Sequence, residues 1–203
     1  LYRDVDLVIR IVRDLFNEDV EQMVIDDEIV YGRVKDLLQG MAPEWADRLK
    51  LYKGSNIFEY YEIEAEAVGA GNRQIPLDSG GFLVIDKTEA MTVIDVNTGS
   101  FVGNVNLGET AFALNKEAAV EIMHQLRLRD IGGIVLVDFI DMEKEEHNKA
   151  LLQLLRQLAQ QDRTKTHVVD ITALGLVEIT RKKTRHNIDN LLYRDCPVCQ
   201  GSG

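Results

Sequence analysis

The sequence predicts a mixed α/β fold, a β-sheet with covering helices preceded by a smaller α/β unit. Two observations carry this expectation. From residue 76 onward, apolar runs of strand length alternate with long stretches of helical periodicity, in the order β-β-α-β-α-β-β. Before them, short strands and helices alternate, and a polar, glycine-rich joint, Gly69-Ala-Gly-Asn-Arg-Gln-Ile75, separates the two stretches. The expected divisions are 1–75, 76–190 and a terminal segment 191–203.

Each element has a local reason. Leu7, Ile11 and Leu15 recur at spacing four, which marks an amphipathic helix. Residues 22–26 read as a short strand, and Asp26 or Asp27 caps a helix running to about Leu38 and ending at Gly40. Residues 49–52 form another short strand, and 56–68 a helix capped by Asn56. Residues 82–86 and 90–96 are strands joined by the hairpin-length turn Lys87-Thr-Glu89. Asn106-Leu-Gly-Glu109 has the form of a capping box, after which Ala111, Leu114, Ala118, Ile122 and Leu126 line one helical face. Gly132-Gly133 breaks the chain. Residues 134–139 are almost wholly apolar, so the expected strand is covered on both sides. A helix over 142–161, with Asp141 as its N-cap, turns Leu151, Leu154, Leu155 and Leu158 inward. Strands at 167–171 and 176–181 complete the order.

Composition limits the function classes. The 203 residues are 45% hydrophobic and 28% charged, which excludes a disordered, collagenous or disulfide-stapled chain. The net charge of −11 argues against broad, sequence-blind binding to polyanions, while leaving room for a local basic strip or a metal-bridged phosphate. No apolar run approaches membrane-spanning length. Two cysteines make no disulfide framework, so the expected compartment is the cytoplasm. Residue 1 is Leu, and the sequence reads as a piece of a longer protein.

Two segments end alike: Val93-Ile-Asp95-Val-Asn97 and Leu136-Val-Asp138. Each is an apolar strand delivering a carboxylate near its C-terminal end, where open α/β sheets gather ligands. If the strands are neighbours, Asp95 and Asp138 lie close enough to share a hard cation such as Mg²⁺, which also accepts a phosphate oxygen. Asn97 leaves the same strand face as Asp95 and is placed to orient it. The competing reading makes these aspartates turn formers and caps.

Arg181-Lys-Lys-Thr-Arg185 concentrates cations in an acidic chain and is either a phosphate-binding strip or a solvated strand end. Cys196-Pro-Val-Cys199 supplies two thiolates where structural zinc takes four ligands. It is half of a zinc site completed by a second chain, or it carries no metal.

Beyond such generic chemistry, long strings resemble the ribonuclease E/G family. They are Gly80-Gly-Phe-Leu-Val-Ile-Asp-Lys-Thr-Glu-Ala-Met-Thr-Val-Ile-Asp95-Val-Asn97-Thr-Gly, Glu109-Thr-Ala-Phe, Gln125-Leu-Arg-Leu-Arg-Asp-Ile-Gly-Gly133, Val137-Asp138-Phe-Ile-Asp-Met142 and Cys196-Pro-Val-Cys199-Gln-Gly-Ser-Gly. Asn97-Thr-Gly-Ser-Phe-Val-Gly103 and Ala173-Leu-Gly-Leu-Val-Glu-Ile-Thr-Arg-Lys-Lys-Thr-Arg185 are similar to the G branch of that family. The likeness is dense over 76–203 and looser over 1–75.

The resemblance implies a DNase-I-like catalytic subdomain over 76–190, preceded by a partial ribonuclease-H-like subdomain and followed by a zinc-link segment. It implies Mg²⁺-dependent endonucleolytic cleavage of single-stranded, A/U-rich RNA, leaving 5′-phosphate and 3′-hydroxyl ends. By motif position Asp95 and Asp138 hold Mg²⁺ and Asn97 supports them. Cys196 and Cys199 share one Zn²⁺ between two chains, giving a homodimer or a higher oligomer built on it. Lys165 falls where the E branch has an arginine that helps sense the RNA 5′-monophosphate, and lysine lacks the bidentate fork. Lys165, Arg181, Lys182 and Lys183 are the expected RNA-binding cations. The family's S1 and 5′-sensor regions have no counterpart in these residues. A non-catalytic, zinc-linked interaction domain and a phosphatase-like hydrolase are the competing readings.

Overall fold

A computed structural model describes residues 7–99 and 107–183. Contacts divide the chain into two units after Ala65.

The first unit holds α1 (Leu7–Leu15), β1 (Met23–Ile25), α2 (Glu28–Met41), a 3₁₀ turn (Pro43–Arg48), β2 (Leu49–Leu51) and α3 (Ile57–Tyr60). β1 and β2 pair in parallel, with Met23 opposite Leu49, and α2 is the crossover between them. Asp27, not Asp26, caps α2, its carboxylate accepting the Val30 N–H at 2.8 Å. Val12, Phe16, Val34, Leu38 and Leu49 form a small core, with Trp45 edge-on to Phe16. The helix expected over 56–68 is broken in two. Asn56 caps α3 as expected, but Glu62 takes φ of 58°, and the chain restarts as α4 (Ile63–Gly69).

The second unit is built on a six-stranded sheet: β3 (Gln74–Pro76), β4 (Phe82–Lys87), β5 (Met91–Asn97), β6 (Gly133–Asp138), β7 (Thr166–Ile171) and β8 (Val177–Arg181), in the order β3-β4-β5-β6-β8-β7. Only β5 and β6 run parallel, and α5 (Leu107–Leu128) makes their crossover. α6 (Glu145–Gln160) follows β6. The strands alternate. Leu83, Ile85, Ile94, Val96, Val135, Val137, Val177 and Ile179 enter one core with Leu114, Ala118, Ile122, Leu126, Leu151 and Leu155 from the two helices. The helical face expected on α5 is therefore the one that is buried.

Three expectations change. β6 is not covered on both sides: Ile134 is 43% exposed, and the residues of its parity carry the half-open face. Asp141 does not cap α6, whose N-cap is Lys144, so 139–144 is a connecting loop. β3 was not expected within the glycine-rich joint, where Pro76 lacks a ladder donor and takes an edge position. Among the described residues no helix is long and apolar enough to cross a membrane.

Candidate active site

β5 and β6 bring Asp95 and Asp138 together. They are direct register partners at the C-terminal ends of two parallel neighbours, closing a ladder that begins at Met91 and Ile134. Adjacent strands lie about 4.8 Å apart, and residues in register in a parallel pair share a face. Both side chains are exposed while Ile94, Val96 and Val137 beside them are buried. The site is a pair of carboxylates set on a rigid apolar base.

Asn97 joins them. Two residues along β5, it leaves the same face as Asp95, and its Nδ2 donates to Asp95 Oδ2 at 2.8 Å. This fixes one carboxylate oxygen. Two glycines allow the backbone after Asn97 to close over the neighbouring strand. Gly99 has φ of 56°, and a Cβ there would collide with the Gly80 carbonyl; a Cβ on Gly81 would lie 2.8 Å from the Asn97 carbonyl oxygen.

A seam of contacts links the start of α5 to the loop after Asp138. Lys144 Nζ donates to Glu109 Oε1 at 2.6 Å and holds that carboxyl below its ordinary range. His147 stacks on Phe112 with ring centroids 4.2 Å apart. Asn115, fully buried, makes two hydrogen bonds to the backbone of Ile140. Among the described residues, no group of three or more His, Cys, Asp or Glu side chains converges as a metal cluster. The donor set at this end of the sheet is the aspartate pair.

The basic strip lies elsewhere. β8 runs antiparallel to β6, with Arg181 opposite Gly133, so the described part of the strip, 181–183, sits at the end of β6 away from Asp138. Five residues of strand separate the two ends, about 17 Å. There Lys165, Lys182 and Lys183 are exposed, and the Lys182 N–H donates to the Lys165 carbonyl at 3.0 Å.

Arg181 is not among the exposed cations. Its side chain is 4% exposed, with Nη1 2.7 Å from Asp130 Oδ1 and Nε 2.9 Å from Asp162 Oδ2. A guanidinium enclosed by two carboxylates and the Ile131 carbonyl is committed to the interior, which corrects its assignment to RNA binding. Arg129 is likewise buried, bonded to Gln125 and the Asn72 carbonyl. Cys196 and Cys199 lie outside the described residues.

Sequence reasoning missed Asn115 and Asp162. The signal for Asn115 was present, since it sits between Leu114 and Ala118 within the buried stretch of α5, where a polar side chain needs a partner.

The profile of the Ribonuclease E/G family matches residues 1–184. The chain belongs to the ribonuclease E/G family. Ribonuclease G of Haemophilus influenzae is 45% identical over 204 residues, covering 100% of this chain and 42% of that protein. Ribonuclease G of Escherichia coli K12 is 43% identical with the same coverage, and Ribonuclease E of H. influenzae is 35% identical over 100% of this chain and 22% of its own length. The chain thus spans less than half the length of the curated relatives it matches.

Proposed function

We propose that this chain is the catalytic core of a Mg²⁺-dependent endoribonuclease that cuts single-stranded, A/U-rich RNA internally, leaving 5′-phosphate and 3′-hydroxyl ends. The observation that carries the reading is the in-register pairing of Asp95 with Asp138 at the C-terminal ends of β5 and β6. Two carboxylates directly opposite one another repel, and a hard divalent cation offsets that repulsion. Their exposure leaves the outer coordination positions to water and to a phosphate oxygen, as Mg²⁺ prefers. When bound, Mg²⁺ supplies charge neutralisation at the phosphodiester and a water of lowered pKa. Asp95 and Asp138 would hold the ion, and Asn97 fixes the Asp95 carboxylate through the Nδ2 bond. The apolar bases of both strands hold the pair rigid, so little reorganisation accompanies reaction.

The test is cleavage of a 5′-monophosphorylated A/U-rich oligonucleotide with and without Mg²⁺ by the intact protein, beside a small phosphate monoester. Internal cuts that need Mg²⁺, with the ester untouched, support the reading. Ester hydrolysis without RNA cleavage replaces it with the phosphatase reading.

The exposed Lys165, Lys182 and Lys183 are the RNA-phosphate contacts in this proposal, set apart from the cutting site along the sheet. Reversing Lys182 and Lys183 to Glu weakens RNA binding and lowers the log–log salt slope by roughly one unit per lost contact. A slope equal to wild type in a filter-binding titration would assign these lysines to solvent.

Cys196 and Cys199 are proposed to share one Zn²⁺ with the same pair of a second chain, a Cys₄ tetrahedron across a two-fold axis. Metal analysis should give one zinc per two chains, and chelation should release metal and dimer together. One zinc per chain contradicts the shared site. The use of two cysteines without a disulfide framework supports a cytoplasmic setting.

A further inference from the structure

We propose that Asn115 is a positioning residue for Asp138, acting through the backbone of Ile140. The inference rests on the reading of Asp95 and Asp138 as a metal-binding pair. Asn115 lies in the middle of α5 and is 0% exposed. Its Nδ2 donates to the Ile140 carbonyl at 2.7 Å, and its Oδ1 accepts the Ile140 N–H at 3.0 Å. One amide thus satisfies both backbone groups of a single residue 25 positions away.

Ile140 is two residues beyond Asp138, where β6 has ended and no strand partner continues the ladder. The amide takes the place of the missing strand neighbour. On either side of Asp138, Val137 is fully buried and Phe139 is 7% exposed. With Ile140 bound next in line, the backbone that carries the carboxylate is held both before and after it. Asn is a poor residue for a helix interior, because its side chain competes with the helix for backbone bonds. Here that capacity is turned toward another segment.

The amide is the innermost of three ties spaced along α5. Glu109 with Lys144, Phe112 with His147, and Asn115 with Ile140 fall at intervals of three residues, on one side of the helix. The Glu109–Lys144 pair is about half exposed on each side and is worth little in water. The Asn115 bonds are shielded and carry the rigidity of the loop. α5 also follows the segment after Asn97, so the helix that completes the β5–β6 crossover is the element that fixes the second aspartate.

The experiment compares wild type, Asn115→Leu and Asn115→Ser in the full chain, using Mn²⁺ alone in isothermal titration calorimetry, with circular dichroism to establish folding. RNA cleavage in the intact protein gives kcat and KM separately. Asn115→Leu keeps the branched outline, with bulkier methyls, and removes both bonds. Asn115→Ser leaves space for a water to reach Ile140 and serves if the leucine variant does not fold. Expected are Mn²⁺ affinity and kcat lower by about 10–100-fold in Asn115→Leu, the range for residues that orient metal ligands, with KM for RNA little changed and a smaller loss in Asn115→Ser. A folded variant with wild-type Mn²⁺ affinity and kcat overturns the inference and leaves the aspartate reading standing. A wild-type chain whose Mn²⁺ binding is insensitive to Asp95→Asn and Asp138→Asn overturns both.

Discussion

Asp95→Asn and Asp138→Asn should each lower kcat for RNA cleavage by about 10³-fold or more, because a lost metal-ion contribution of several kcal/mol is a thousandfold at ~1.4 kcal/mol per decade. Folding should survive. Both side chains are exposed, and each change keeps the shape while relieving a like-charge pair. Thermal midpoints should match wild type or rise slightly, since exposed substitutions of this kind stay within about 0.5 kcal/mol. Single-turnover cleavage at saturating Mg²⁺ separates chemistry from binding. Residual kcat within tenfold of wild type in either variant would remove that aspartate from the reaction.

The largest effect on stability is expected at Arg181. Arg181→Met leaves Asp162, whose side chain is 2% exposed, with no cation, and breaking a buried pair in this way costs about 3–5 kcal/mol. Urea unfolding should show the loss as a lower midpoint at unchanged slope. The salt dependence of RNA binding by the folded variant should stay as in wild type, because the guanidinium faces the interior; a flatter slope would restore Arg181 to the RNA surface.

The same cluster gives an acid limb to the stability curve. Burial works to raise the Asp162 pKa, but the bonds from Arg181, the Thr164 N–H and the Thr166 hydroxyl outweigh it, and the carboxyl titrates below its ordinary range. A group depressed in the folded state contributes fully above its unfolded pKa of about 3.9 and loses that contribution as pH falls through the folded value. Arg181 is shifted further upward and stays protonated throughout that window. The cluster is therefore silent near neutrality and fails in acid.

Local pattern made much of this legible. The five-residue face of α5, the strand alternation and the caps at Asp27 and Asn56 all follow from nearest neighbours in the chain. The aspartate pair was legible only conditionally, because the parallel pairing of β5 and β6 depends on a long crossover. The insertion of β8 between β6 and β7 is a non-local choice that no single strand encodes. Arg181 was misread for a different reason. The charge run suggested a surface, yet Val177, Ile179 and Arg181 share one strand parity, and the first two are buried. Its partners lie just beyond the ends of two helices, 51 and 19 residues away, so the compensation that permits its burial is invisible locally.

The two outer strands of the six-stranded sheet bear on self-association. An edge strand offers unpaired N–H and C=O groups to any other strand. β3 is three residues long and ends in Pro76, which has no N–H to offer. β7, at the other edge, has a register irregularity between Val168 and Ile171, which interrupts the straight ladder that an incoming strand would need. Both margins are poor templates, so copies of this chain are discouraged from joining sheet to sheet into aggregates at the concentrations a folding chain meets.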